Sequence, residues 1–282
     1  KVPKFEHKDA YPKGTKDLLT EKGPEEFAKW LKAEQKIHFT DTTFRDAHQS
    51  LLATRMRTFD MMKVAEGFAK NHPEVFSMEV WGGATFDVCM RFLKENPWER
   101  LKLLRKAIPN ILFQMLLRGS NGVGYTAYPD NLIEKFVAEA WENGVDIFRI
   151  FDSQNWMQSL APSIEHVRKN TKGIAEASMC YTGDILQPKD NKYNLEYYIQ
   201  LAKDLENAGA HILAIKDMAG LLAPYPTYDL VKAIKSEVDL PLVIHSHATS
   251  GLAAQCQLKA IEAGVDRIDT AISSFAGGTS HP

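Results

Sequence analysis

Ala208-Gly-Ala-His-Ile-Leu-Ala-Ile-Lys-Asp217 holds a helix end, a buried strand and a polar strand tip in one short stretch. Gly209 reads as a helix stop, because glycine accepts the left-handed conformation at no steric cost. The same phrase recurs as Asn143-Gly144-Val-Asp146 and Ala263-Gly264-Val-Asp266, each time just before an apolar run. Working outward, strand-like runs appear at Ile37–Phe44, Phe76–Trp81, Ile111–Leu117, Ile147–Phe151, Ile174–Tyr181, Ile212–Ile215, Leu242–Ile244 and Arg267–Ile272. Amphipathic helical stretches separate them, at a spacing of roughly 30 residues, the size of one strand–helix unit. Such alternation implies parallel strands joined by right-handed crossovers. Eight units over about 240 residues is the arithmetic of an α/β (β/α)8 TIM barrel. An open doubly wound sheet is disfavoured, since no Gly-x-Gly-x-x-Gly follows the first run.

Residues 1–36 read as a short helical lead-in and residues 37–282 as the barrel. Lys13-Gly14 and Gly23-Pro24 are turn signals. Pro24 sits where a helix can start, with Glu25 and Glu26 suited to its first turn. Phe27, Trp30 and Leu31 then share one helical face, expected to pack on the main body. The eighth run ends near Ile272, so the helix that should follow strand 8 is expected to lie outside this sequence, a barrel truncated after strand 8. The start Lys1-Val-Pro-Lys-Phe5 lacks a Met and is no signal peptide; the chain reads as a piece of a longer one.

A net charge of −2 implies no general attraction to nucleic acid or to an anionic membrane. No apolar run approaches the length of a membrane span. Three cysteines, far apart and without Cys-x-x-Cys spacing, argue for a reducing compartment such as the cytoplasm.

In a barrel of this kind, reactive groups come from the C-terminal ends of the strands. Here those ends are polar: Arg45, Asp46, His48 and Gln49 after strand 1, Asp87 after strand 2, Arg118 and Tyr125 after strand 3, Asp152 after strand 4, Tyr181 and Asp184 after strand 5, Lys216 and Asp217 after strand 6. Strand 7 ends in His245-Ser-His247, and side chains two apart on a strand point the same way. The pair can be two metal ligands or two satisfied core histidines. Lys216 closes an apolar run, where desolvation lowers the pKa and frees the amine. The amine could form a Schiff base with a carbonyl substrate, or take up CO2 and bind a metal as a carbamate. The nearby histidines favour the carbamate. Asp46 then completes a mixed O/N set with Lys216, His245 and His247, suited to zinc, manganese or cobalt. Asp41 competes for that place but lies inside the strand. Arg45 and Arg118 can clamp a substrate carboxylate or form rim salt bridges. Asp87 and Tyr125 are hydrogen-bonding groups nearby.

Thr40-Asp-Thr-Thr-Phe-Arg-Asp-Ala-His-Gln-Ser-Leu-Leu-Ala-Thr-Arg55, Glu79-Val-Trp-Gly-Gly-Ala-Thr-Phe-Asp87, Phe113-Gln-Met-Leu-Leu-Arg118, Phe148-Arg-Ile-Phe-Asp152 and Ile215-Lys-Asp-Met-Ala-Gly220 resemble the carboxyltransferase domain of pyruvate carboxylase. Tyr11-Pro-Lys-Gly-Thr15 resembles the stretch that precedes that domain. The resemblance implies a divalent metal on Asp46, carbamylated Lys216, His245 and His247. It implies keto-acid binding by Gln49 and Arg118, and a biotin-ring pocket at Arg45, Asp87 and Tyr125. It implies transfer of a carboxyl group from carboxybiotin to pyruvate, giving oxaloacetate, in a ligase that serves gluconeogenesis. The partners implied are a biotinylated carrier domain and a biotin carboxylase domain, on the same or another chain, in a homo-oligomer. The compartment implied is the cytoplasm, or the mitochondrial matrix in a eukaryote.

His245-Ser-His-Ala-Thr-Ser-Gly251 is closer to the related oxaloacetate decarboxylase α subunit, where the carboxyl group moves from oxaloacetate to biotin. That direction is the first alternative. A Schiff-base aldolase on Lys216 and a non-enzymatic binding or assembly fragment are the others. The resemblance also implies a further helical segment carrying a proton-shuttling threonine, beyond Pro282.

Overall fold

The computed structural model describes residues 5–6, 9–186 and 192–282. Lys1–Lys4, the start of the segment read above as no signal peptide, lie outside the described residues. The strands are β1 (His38–Asp41), β2 (Ser77–Gly82), β3 (Leu112–Leu117), β4 (Ile147–Ile150), β5 (Ile174–Cys180), β6 (Ile212–Asp217), β7 (Leu242–Ser246) and β8 (Arg267–Thr270). Every neighbouring pair is parallel, and β8 pairs with β1, so the sheet closes into the expected barrel. The helices are α1 (Thr15–Ala33), α2 (His48–Leu52), α3 (Thr58–Asn71), α4 (Thr85–Val88), α5 (Pro97–Ala107), α6 (Asp130–Glu142), α7 (Met157–Asn170), α8 (Leu195–Asn207), α9 (Pro224–Glu237) and α10 (Ala253–Glu262). After β8 come one turn of 3-10 helix, Ser273–Phe275, and a loop to Pro282.

Gly144, Gly209 and Gly264 have φ of 116°, 92° and 93°, as helix stops should. The repeated phrase has a second use. Its last residue pins the preceding strand: Asp146 accepts from the Phe113 amide, His211 from Ala175 and Asp266 from Leu242, at 2.8, 2.9 and 2.7 Å. Three strand starts are thereby fixed at the bottom of the barrel by side chains as well as by backbone bonds.

Alternation along the strands separates two cores. Outward residues such as Met78, Val80, Phe113, Met115, Phe148, Ile215 and Ile244 pack under the helices. Inward residues Leu112, Ile147, Ile174, Ile212, Ala214 and Val243 form a second, smaller cluster with Phe76 at the barrel floor. Leu19, Phe27 and Leu31 of α1 pack against that floor and close it. The lead-in is therefore two helical pieces that meet at a kink, as the Gly23-Pro24 turn signal implied. Gly23 leaves helical geometry at φ 75°, and Pro24 restarts the helix behind it. The front of α1 is tied down by the Thr15 hydroxyl, which donates to the Phe76 carbonyl at 2.8 Å, and by Lys16 on Asp146 at 2.5 Å.

Strand ends move from the sequence reading mainly at β1. The run was expected to continue to Phe44, yet the strand stops at Asp41 and Thr43–Ala47 form a π-helical turn. The Asp41 carboxylate accepts from both the amide and the hydroxyl of Thr43, which draws the chain out of the extended form. At the same rim β6 and β7 run further than expected, so that Lys216 and His245 belong to the ladder as paired neighbours.

Candidate metal centre at the barrel mouth

The π-helical turn after β1 places Asp46 inside the barrel mouth, opposite the end of β7. Asp46 Oδ2 lies 3.2 Å from His245 Nε2, 3.4 Å from His247 Nε2 and 3.2 Å from His281 Nε2. The four donor atoms all fall within 4.8 Å of one another, and all four residues are buried. Lys216 Nζ is 3.1 Å from His245 Nε2.

Each ring is oriented from behind. His245 Nδ1 is 2.7 Å from Asp269 Oδ2, and His247 Nδ1 is 2.6 Å from the Thr279 carbonyl. His281 Nδ1 is 3.1 Å from the Ser246 carbonyl. Carbonyls only accept, so the ring proton belongs on Nδ1 of His247 and of His281, whereas His245 Nδ1 also faces Arg149 Nη1 at 3.0 Å. The Nε2 of His247 and of His281 is then left as a lone pair, and both lone pairs face a carboxylate that has no proton to give. Acceptors do not gather around an acceptor unless a cation lies between them. Nitrogen and oxygen donors with their back nitrogens held in this way suit zinc, manganese or cobalt.

The charges around the centre follow from burial. Burial and the neighbouring Lys216 and His281 hold His245 well below the usual histidine range. Burial alone would raise Asp46, but Arg45 at 3.0 Å and the three imidazoles keep it well below the carboxylate range. Burial lowers the Lys216 pKa, and Arg45 and Arg149 add to this against the pull of Asp46.

Below the mouth runs a buried ladder of charges. Asp269 pairs with Arg149, Arg149 with Glu176, and Glu176 with Arg267, all without solvent access. Beside it, Arg45 pairs with Glu79 at 2.6 Å.

Arg45 is therefore fully buried and committed to Asp46, Glu79 and Gln49, rather than open as a clamp. Gln49 Oε1 accepts from Arg45 at 3.2 Å and from the Ala84 amide at 3.1 Å, which leaves its NH2 to be offered elsewhere. Arg118 donates to the carbonyls of Val123 and Gly124 and lies over the Tyr125 ring at 5.2 Å. Tyr125 in turn donates to Asp87 at 3.3 Å. Asp87 and Tyr125 also line a cavity of about 610 Å3 with Phe86, Met90, Trp98 and Phe136. Four polar strand-end residues are not brought to the centre. Asp152 accepts from the Gln154 and Trp156 amides, Asp184 from Leu186, and Asp217 from Leu221 and Leu222. Tyr181 stacks on Tyr198. Asp41 is satisfied by Thr43 and is absent from the ligand cluster.

His281, Asp269, Arg149, Glu176, Arg267 and Glu79 were not singled out in the sequence. A charged residue alternating with apolar ones inside a buried strand, as in Ile147-Phe-Arg-Ile150, was the available signal for the ladder. For His281 the only signal was a histidine in the loop beyond the eighth strand.

The chain was then compared with known proteins. The family model described as HMGL-like matches residues 131–278. Pyruvate carboxylase of Bacillus subtilis is 58% identical over 270 residues, 96% of this chain, and the mitochondrial pyruvate carboxylase of Mus musculus is 53% identical over 272. The chain spans about a quarter of the length of these curated relatives, 23% of each. Among solved structures, the carboxyl transferase domain from Rhizobium etli pyruvate carboxylase with pyruvate matches all of this chain and 48% of its own, at TM-score 0.97 and 50% identity. The same domain with pyruvate and biocytin matches at TM-score 0.96.

Proposed function

The chain belongs to the HMGL-like family, and from that premise we propose that it transfers a carboxyl group from carboxybiotin to pyruvate, giving oxaloacetate, at a divalent metal held by Asp46, His245, His247 and a carbamylated Lys216. The observation that carries this reading is the convergence of imidazole lone pairs on Asp46 beside the buried Lys216 amine.

Charge balance supports the carbamate over the Schiff base. In the linked set, the guanidiniums of Arg45, Arg149 and Arg267 face the carboxylates of Asp46, Glu79, Glu176 and Asp269. An ammonium on Lys216 makes this set neutral. A divalent ion beside a free amine leaves it one positive charge in excess, at a depth where unpaired charge is costly. Attack of the amine on CO2 forms a C–N bond and releases one proton to solvent, and the resulting anion restores neutrality with the ion present.

When bound, the metal supplies positive charge as a Lewis acid and the biotin supplies the carboxyl group. The chain's own residues do the rest. Arg118, at the end of β3, holds the carboxylate of the keto acid, with the free NH2 of Gln49 as a further donor. Held there, pyruvate would pass a methyl proton to the biotin nitrogen that has released CO2, and its enolate carbon would then bond that CO2; preorganised cationic groups stabilise the charge on the enolate oxygen where it forms. Asp87 and Tyr125 border the apolar cavity that receives the biotin ring, where release of CO2 is sheltered from water. In its native setting the chain acts with a biotinylated carrier and a biotin carboxylase. The names of the relatives, all pyruvate carboxylases, favour this direction over decarboxylation of oxaloacetate.

The test is oxaloacetate formation from pyruvate by the protein carrying this chain, beside Lys216→Met and His247→Ala, with metal content by elemental analysis. About one ion per chain in the parent, loss from His247→Ala and loss of turnover in both variants is the expected result. A folded, metal-free parent would overturn the reading. So would trapping of pyruvate on Lys216 by borohydride.

A further inference from the structure

We propose that His281 is itself a ligand of the centre, so that Asp46, His245, His247 and His281 hold the ion by themselves and loading does not wait for CO2 to modify Lys216. This rests on the metal-centre reading above and goes beyond it in the ligand set and in the order of assembly.

His281 stands to Asp46 as the two β7 histidines do. Its Nε2 is 3.2 Å from Asp46 Oδ2, against 3.2 and 3.4 Å for His245 and His247. Its ring centre lies 4.5 Å from each of theirs, and it has no solvent access. Its Nδ1 faces the Ser246 carbonyl, so the ring proton is spent there and Nε2 is a lone pair. A neutral ring in that tautomer offers nothing to the Asp46 oxygen. A ring present only to hydrogen-bond Asp46 would turn its proton toward the carboxylate, which the Ser246 contact forbids. A cation shared by all four donors satisfies every contact at once.

The placement of His281 is fixed by the backbone around it. The Ala248 amide donates to the Ser280 carbonyl at 2.7 Å, the Ala271 amide to Pro282 at 3.0 Å and the Gly277 amide to the His281 carbonyl at 2.7 Å. The Thr279 hydroxyl donates to the Ser50 carbonyl at 3.0 Å, and the Thr279 carbonyl orients His247. One loop therefore carries a ligand and also positions another. Three imidazoles and a carboxylate form a complete tetrahedral set for a borderline ion. On this account the Lys216 carbamate joins an ion already in place.

Cobalt(II) loading in CO2-depleted and in bicarbonate-containing buffer tests this, with chelator competition for affinity and the visible absorption bands for coordination. The parent and Lys216→Met are expected to bind about one cobalt per chain in both buffers. His281→Gln is expected to bind ~100-fold or more weakly in CO2-depleted buffer, since even removal of a group behind a ligand costs 10–100-fold. Bicarbonate is expected to restore part of its affinity, through Lys216, with altered absorption bands. Equal affinity and identical bands for parent and His281→Gln in both buffers would overturn the proposal while leaving the centre intact. So would a Lys216→Met variant that, like a CO2-depleted parent, takes up no cobalt. Absence of cobalt from the parent in both buffers would instead sink the metal centre itself, as would undiminished binding by His247→Ala.

Discussion

The Asp269 carboxylate lies 2.7 Å from His245 Nδ1, and neither residue has solvent access. The same carboxylate pairs with Arg149. One group thus holds a candidate ligand from behind and ends the charged ladder that fills the barrel. Burial would raise its pKa, but Arg149 and His245 hold it well below the carboxylate range. Asp269→Asn leaves Arg149 short of an anion in the interior. A loss of about 3–5 kcal/mol is expected in urea unfolding. Metal affinity is expected to fall about 10–100-fold by chelator competition, because the amide no longer enforces the ring's orientation.

Gly82 ends β2 at φ 82°, and a Cβ there would meet the Leu116 carbonyl oxygen at 2.2 Å. That oxygen also accepts the Gly83 amide, so it is not free to withdraw. Gly82→Ala is expected to cost at least about 2 kcal/mol, combining left-handed strain with a backbone clash. Thermal or urea unfolding against the parent reads it directly.

Asp87 and Tyr125 meet through one bond of 3.3 Å at an exposed position. Tyr125→Phe is expected to leave stability within about 0.5 kcal/mol. If the pair serves the biotin ring and not the keto acid, carboxyl transfer falls while the KM for pyruvate stays put. Arg118→Gln should do the reverse in part, raising the KM for pyruvate by tenfold or more, as expected from about 1.5–3 kcal/mol for a charge-assisted bond. Steady-state kinetics on the protein carrying this chain separates the two.

His211 sits at the barrel floor, its Nδ1 accepting from the Ala175 amide at 2.9 Å and its Nε2 lying 2.7 Å from Arg168 Nη1 and 3.5 Å from Glu25 Oε1. Burial and Arg168 push its pKa down to about 4 from 6.5. A base whose folded pKa is depressed takes its proton preferentially in the unfolded chain. Its contribution is complete above pH 6.5 and is lost as pH falls toward 4, to a total of about 3 kcal/mol. His211→Gln is expected to flatten the stability profile over that window. Denaturation midpoints for parent and variant at pH 7.5 and 5 compare the slopes.

The barrel was legible because its signals are local and repeated. A glycine stop, an apolar run and a polar tip recur, and Gly144, Gly209 and Gly264 adopt the expected conformation. Asp46, His245 and His247 were legible because strand ends in this fold share one face, and Asp46 Oδ2 does lie against both rings. The ladder was not, because Arg149 and Glu176 look like exceptions within apolar strands until closure shows that they face each other. His281 was not, because a loop has no periodicity from which to read direction. Arg45 was read as either a substrate clamp or a rim salt bridge, and the sequence cannot show that Glu79, one strand–helix unit along the chain, occupies it.

The α1 helix seals the barrel floor with Leu19, Phe27 and Leu31. The space above it is filled in turn by Arg267, Glu176 and Arg149, so the barrel is plugged from below. The imidazoles are left with one approach, over the rim. The molecule is therefore one-sided: whatever the mouth exchanges with its surroundings crosses a single face, and the opposite face is given over to holding the wall together.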